Sequence, residues 1–290
     1  MRWMQTTLAV LCVPAALCAQ RATIDLTFGV YTTDKPTVMY RQFMPLVEMV
    51  QDRMEAALKR EVAIEFRIFK TYDAAREALQ SGSIDFARFG PASYVLAKKH
   101  NPAIELLAME TMEGKKTFPG YIVTRIDSPI RTIAQLQGRR FAFGDENSTI
   151  GRYLVQKELL DAGLFIHDLS SYKYLGRHDL VFRAVELGDF DAGAVKSSTY
   201  KKLNRKGKLR ILAKFDNVTK PWVARAKLDP ATRTALSNAL IGLRDPGVLK
   251  ALKADGLAAA KDEAYDVIRV SMAASRGFTK PPPVGTPGKE

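Results

Sequence analysis

The chain predicts an α/β protein of two lobes, each a mostly parallel sheet flanked by helices, and three observations carry that reading. Short apolar strands alternate with amphipathic helices along most of the sequence. Roughly 270 residues remain after an amino-terminal leader, a length that suits two cores better than one, and a 47% hydrophobic composition is enough to fill both. The carboxy-terminal stretch then turns purely helical, which closes the alternation instead of extending a sheet.

Residues 1–19 read as a cleaved signal peptide. Arg2 precedes the apolar run LAVLCVPAALCA at 8–19, which is shorter than the about 20 residues a bilayer span requires. The small residues Ala16, Cys18 and Ala19 suit cleavage just after Cys18 or Ala19. A lipid anchor on Cys18 fits less well, because Leu17 stands where a small residue is expected. Both cysteines, Cys12 and Cys18, fall inside this segment, so the mature chain is expected to hold neither thiol nor disulfide. An exported protein without a disulfide framework points to a bacterial periplasm or cell surface.

IDLTFGVY (24–31) is the first strand. The next segment places Phe43, Leu46, Val47, Val50, Met54 and Leu58 at helical spacing, and AIEFRIF then alternates Ile64, Phe66 and Ile68 as a strand does. Further strands are expected at 84–90, 104–110, 121–125, 139–143, 172–176, 191–195 and 210–215, with helices in most gaps. Residues 229–256 and 263–278 read as helical, and KPPPVGTPGKE (280–290) as a disordered tail.

The formal net charge of +13 favours anionic partners: small anions, anionic membrane surfaces or nucleic acid. Lys and Arg are dispersed apart from a cluster at 201–210. No nucleic-acid motif or aromatic-rich basic face accompanies them, and export also argues against nucleic acid. The bulk of this charge reads as a solvated surface.

In open α/β sheets ligands bind beyond the carboxyl ends of strands, so the loops there are the places to search. Polar groups collect at Thr71 and Tyr72, at Ser148 and Thr149, at Arg177, His178 and Asp179, and at Lys196 to Ser198. The richest stretch is FAFGDENSTIGRYLVQKELLDAG (141–163), a strand closed by Gly144, a polar loop, and a helix starting near Asn147 or Ser148 and stopping at Gly163. Free amides and the positive dipole end at such a start favour an anion, and the hydroxyls of Ser148 and Thr149 add directed donors. Ordinary helix capping accounts for the same hydroxyls. His178 can donate to an oxyanion from one ring nitrogen, and a loop or capping histidine is the plainer alternative.

GDENSTIG with its helix and Gly163, GRHDLVFRAVELGDFDAGAV, SIDFARFGPASY and DSPI at 127–130 together resemble the periplasmic substrate-binding proteins of phosphate, phosphite and phosphonate ABC transporters. The resemblance spans nearly the whole mature chain. It implies the type II two-lobed periplasmic-binding-protein fold, with residues 23–122 and 218–279 in lobe 1 and 123–217 in lobe 2. Crossovers would fall near 119–123 and 216–222, and the carboxy-terminal helices would return to lobe 1. It also implies an extracytoplasmic monomer that holds a small oxyanion, feeds a membrane permease and carries no cofactor or metal.

Carried over residue by residue, the family's oxyanion loop falls on Ser148, Thr149 and Ile150, with its glycine at Gly151. The third hydroxyl is thus replaced by an apolar side chain, though the backbone amide survives. The ligand-contacting tyrosine falls on Tyr72 and the pocket histidine on His178, while a further pocket tyrosine falls on Phe118. Two carboxylates that clamp the ammonium in aminophosphonate binders fall on Ser198 and Lys220. Lysine in place of an acid reverses the local charge, which repels an ammonium and attracts a second anionic oxygen. An exposed hinge lysine is the alternative for Lys220.

Two other functions compete. A serine hydrolase would use Ser148 as nucleophile with His178 and Asp179, but adjacent His and Asp point apart on most backbones and no GxSxG elbow is present. A sensor would keep the fold and report its ligand to a membrane signalling partner. A metal site is poorly served, since His100, His167 and His178 are scattered and Asp145 and Glu146 form the one acidic cluster.

Overall fold

A computed structural model describes residues 22–279. The expected signal peptide and disordered tail lie outside the described residues. In chain order the elements are β1 (Ile24–Tyr31), α1 (Pro36–Leu58), β2 (Val62–Phe69), α2 (Tyr72–Ser81), β3 (Phe86–Arg88), α3 (Pro91–His100), β4 (Glu105–Thr111), β5 (Thr117–Arg125) and β6 (Arg140–Phe143). A π-helical turn (Thr149–Leu154) then runs into α4 (Val155–Asp161), followed by β7 (Ser171–Tyr174), α5 (His178–Leu187), β8 (Ala192–Lys196), α6 (Ser197–Leu203) and β9 (Leu209–Val218). The chain ends through β10 (Pro221–Ala224), α7 (Pro230–Ile241), α8 (Pro246–Leu252), β11 (Gly256–Ala258) and α9 (Asp266–Phe278).

Two sheets result, with strand orders β11-β4-β10-β3-β1-β2 and β7-β6-β8-β5-β9. The pairings leave four of six strands in the first sheet, and four of five in the second, running the same way. The strands that arrive directly from the other sheet, β5 and β10, are reversed and lie inside their sheets. A short connection delivers an antiparallel strand, whereas a parallel one needs a crossover of a dozen or more residues.

The chain leaves the first sheet after Thr111 and enters the second at Thr117, ahead of the expected 119–123, because β5 pairs with β9 from Thr117 onward. It returns between Val218 and Pro221. The strand β10 is absent from the sequence reading because Pro221 opens it, and proline argues against a central strand. Here the proline is the first residue, where its missing N–H costs nothing, and its carbonyl accepts from the Phe89 amide at 3.0 Å.

Trp222 of β10 is fully buried and stacks on Phe28, which also meets Phe66 and Phe86, so aromatic rings from four strands build the first core. Helices α7 and α8 pack on α1 beside this sheet. Helix α9 departs from the expected return to the first lobe. It packs on α4 and the π turn as well as on α3, and on the former side Phe278 meets Phe143 edge-on and the Ser275 hydroxyl donates to Gln156 Oε1 at 2.7 Å. Just ahead of it, Tyr265 and Asp262 hold Tyr94 of α3, the latter accepting from its hydroxyl at 2.6 Å. The carboxy-terminal segment therefore ties the helices of both sheets together.

Candidate functional site

Five helices begin around one cavity of about 60 Å³ between the two sheets. Its wall holds Tyr72 at the start of α2, Gly90 and Pro91 at the start of α3, Ser148, Thr149 and Ile150 at the π turn, His178 at the start of α5, and Lys196 capping α6. Most of these starts are locally encoded. Thr71 caps α2 by accepting from the Ala74 amide at 3.1 Å, Pro91 presets the first turn of α3, and Gly176 with φ near 76° turns the chain into α5. A helix start carries about half a positive charge, so five of them set a strongly positive potential in this space.

The hydroxyls are held by backbone donors. Ser148 Oγ accepts from the Gly151 amide at 3.0 Å, and Thr149 Oγ1 accepts from the Ala92 amide at 2.9 Å. Tyr31 accepts at its phenol oxygen from the Gly90 amide and from Ser93 Oγ. With a lone pair committed, each oxygen is fixed while its own proton stays available to donate to a ligand. The Thr149 bond also links the second sheet's loop to the first sheet's α3. Tyr72 stacks on Tyr31 with ring centres 3.7 Å apart, and burial holds both phenols protonated, Tyr31 pushed up to about 12 and Tyr72 well above its ordinary value.

Gly151 is not part of the wall. A Cβ there would lie 2.7 Å from Gly144 Cα, and one on Gly144 would lie 2.8 Å from Gly151 Cα, so the two glycines let the loop's ends touch backbone to backbone. The Gly144 amide donates to the Gly151 carbonyl at 2.9 Å across this contact. The glycine carried over as a ligand neighbour shapes the loop instead.

Three cations line the cavity: Arg88, Lys196 and Lys220. None of its lining residues is acidic. Glu110, 1% exposed behind the wall, is committed to Arg88 through Nε and Nη2 at 2.5 and 3.0 Å and lies 4.0 Å from Lys220 Nζ. Lys220 also sits over the Phe118 ring, 5.2 Å from its centre, so the two expected residues meet as a cation–π pair. Burial, reinforced by Arg88, holds the Lys220 ammonium well below the usual lysine range. Burial and the nearby Lys253 push Lys196 down to about 8. Paired desolvated cations of this kind favour a negative partner between them.

His178 is buried, and burial followed by the charge of Lys196 pushes it down to about 3, so it works as a neutral ring. Its Nδ1 is buried with no hydrogen-bond partner among the described residues, as is Asn217 Oδ1 on the same wall. Asp179 does not orient His178; it binds Arg177 at 2.8 and 3.0 Å, which removes the third member a hydrolase triad needs. No group of three or more metal-ligating side chains occurs among the described residues.

Of the nine expected site residues, Tyr72, Phe118, Ser148, Thr149, Ile150, His178 and Lys220 line this cavity. Ser198 lines a smaller adjoining chamber instead. Tyr31, Thr33, Arg88 and Asn217 join the wall without a sequence signal, because each lies in or just past a strand whose pattern reads as core or edge. Lys196, within the loop already singled out, completes it.

Residues 28–265 match the family described as the periplasmic substrate-binding proteins of phosphonate ABC transporters. The chain belongs to this family. A probable phosphite-binding protein, PhnD1 of Prochlorococcus marinus, is 28% identical over 154 residues, covering 50% of this chain and 51% of that protein. The phosphate-import protein PhnD of Mycolicibacterium smegmatis is 24% identical over 190 residues, covering 62% and 57% respectively. The match thus spans little more than half the length of these curated relatives. The solved structure of P. marinus PhnD1 with methylphosphonate superposes with a TM-score of 0.73 at 24% identity, covering 85% of this chain and 96% of that one. A Xanthomonas citri protein bound to chloride gives a TM-score of 0.74 at 21% identity, covering 88% and 98%. These likenesses establish the type II periplasmic-binding-protein fold. No described helix is long and apolar enough to cross a membrane.

Proposed function

We propose that this family member is the extracytoplasmic binding component of an ABC transporter and captures a compact phosphorus oxyanion, such as phosphite, phosphate or methylphosphonate, in the cavity between its sheets. The observation that carries this is the convergence of five helix starts and three cations on a wall without a carboxylate. The Ser148 and Thr149 hydroxyls and the Tyr31 phenol supply directed donors, the neutral His178 ring offers its Nδ1, unpartnered among the described residues, as an acceptor to a protonated oxygen of the ligand, and Lys196 and Lys220 supply charge. Binding is capture rather than chemistry. The two sheets act as lobes hinged at 112–116 and 219–220, and a membrane permease reads the closed form. The hydrogen bond from the Ala92 amide to Thr149 belongs to that closed form, because it joins α3 to the oxyanion loop.

The replacement of ammonium clamps by Ser198 and Lys220 sets the specificity against aminoethylphosphonate. Calorimetry of the protein, freed of ligand by unfolding and refolding, against phosphite, phosphate, methylphosphonate, aminoethylphosphonate and sulfate tests both points. One phosphorus oxyanion should bind tightly and aminoethylphosphonate weakly. Failure of every phosphorus oxyanion would overturn the assignment, and a preference for aminoethylphosphonate would overturn the reading of Lys220.

A further inference from the structure

The oxyanion cavity adjoins a second chamber of about 30 Å³, and Thr33, Phe43, Arg88, Phe118, Lys196 and Lys220 line both. The outer chamber adds Lys253, Asp34 and Ser198. Its charge is lopsided. Asp34 lies 3.8 Å from Lys202 and also acts on Lys196 and Lys253, and Glu110 behind the shared wall is held by Arg88 and lies 4.0 Å from Lys220, so these two carboxylates face five cations and the balance stays positive at Lys196, Lys220 and Lys253. Thr33, Gln42 and Ser198 add neutral polar groups to the wall, and Phe43, Met112 and Leu252 add apolar ones.

Size narrows what fits. The first cavity has about twice the room of the second, which suits a phosphonate head in the first and a smaller group such as a carboxylate in the second. From these two adjoining chambers we infer that the protein selects phosphonates carrying a second anionic group, a carboxyalkylphosphonate of the size of phosphonoacetate, with the phosphonate on the helix starts and the carboxylate among Lys196, Lys220 and Lys253. This inference rests on the oxyanion reading and extends it to a substrate class. An ammonium in the outer chamber would meet three lysines against the single carboxylate of Asp34, and an alkyl tail would leave that excess of cations without a partner.

Lys253 lines the outer chamber and not the inner cavity, which makes it the discriminating position. Calorimetry of the wild type and Lys253→Met against methylphosphonate, phosphonoacetate and its uncharged amide, phosphonoacetamide, supplies the test. The wild type should bind phosphonoacetate at least tenfold more tightly than methylphosphonate or the amide. In Lys253→Met that preference should fall at least fivefold while methylphosphonate affinity stays within twofold. Equal binding of phosphonoacetate and its amide, a stronger affinity for methylphosphonate than for phosphonoacetate, or a preference untouched by Lys253→Met would each overturn the inference while leaving the oxyanion assignment standing. Failure of methylphosphonate as well as phosphonoacetate to bind would overturn both.

Discussion

Replacing Lys196 by methionine should stabilise the ligand-free protein and weaken its binding. Lys196 is held near 8 against an ordinary lysine value of 10.5, first by burial and then by Lys253. Keeping it charged below pH 8 therefore costs the fold about 3 kcal/mol, or about 2 once the partial solvent contact of the side chain is allowed for. Methionine fills a similar volume without charge, so Lys196→Met should raise the melting temperature at pH 7 by roughly 4 to 8 °C. The sign with pH follows from proton counting. Between pH 8 and 10.5 the unfolded chain keeps this proton and the native state does not, so the wild type gains stability as pH rises through that window. At pH 9.5 the advantage of Lys196→Met should drop to less than half. The same substitution removes a charged donor from the oxyanion, weakening methylphosphonate binding by roughly 10- to 100-fold. Thermal unfolding at pH 7 and 9.5, with calorimetry at pH 7, checks all three. A variant less stable than wild type at pH 7, or an advantage equal at both pH values, would refute the reasoning.

Ser148→Ala removes one hydroxyl donor and leaves the Gly151 amide without its acceptor, so methylphosphonate should bind roughly 10- to 100-fold more weakly by calorimetry; an unchanged affinity would place Ser148 outside the binding shell. Gly144→Ala puts a methyl group against the Gly151 backbone, and should cost about 1 to 3 kcal/mol in denaturant unfolding and displace the oxyanion loop, with both effects absent if the contact is slack. The buried His178, held near 3, should show ring resonances that do not titrate above pH 5 in the free protein, whereas a midpoint near 6.5 would contradict its burial. Because native His178 takes up its proton later than the unfolded chain does, its contribution to stability diminishes as pH falls from about 6.5 toward 3. Phe278→Ala, which empties a fully buried site against Phe143, should cost about 3 to 5 kcal/mol and loosen α9 from the π turn, read by faster amide exchange there; an effect confined to the first sheet would contradict the observed docking of α9.

The alternation of apolar strands and amphipathic helices determined the class, most strands, and the GDENSTIG loop, because each signal is local: periodicity, a cap, a glycine that ends a helix. Tyr72, Ser148, Thr149 and His178 were legible for the same reason, as polar side chains at helix starts just beyond strands. Only the tertiary structure decided that five such starts meet at one cavity, since helices far apart in sequence are oriented by sheet order and not by their own residues. It likewise decided that Arg88, from a three-residue strand, turns its charge to Glu110 and the cavity, and that Asn217 faces inward from the end of β9. Gly151 was carried over from the resemblance as a ligand neighbour, yet its role is fixed by Gly144 across the loop, a backbone contact no spacing reveals. Helix α9 shows the same division. Its helical character was read in the sequence, but that says nothing of what it packs against, and the partner it found was Phe143 of the second sheet.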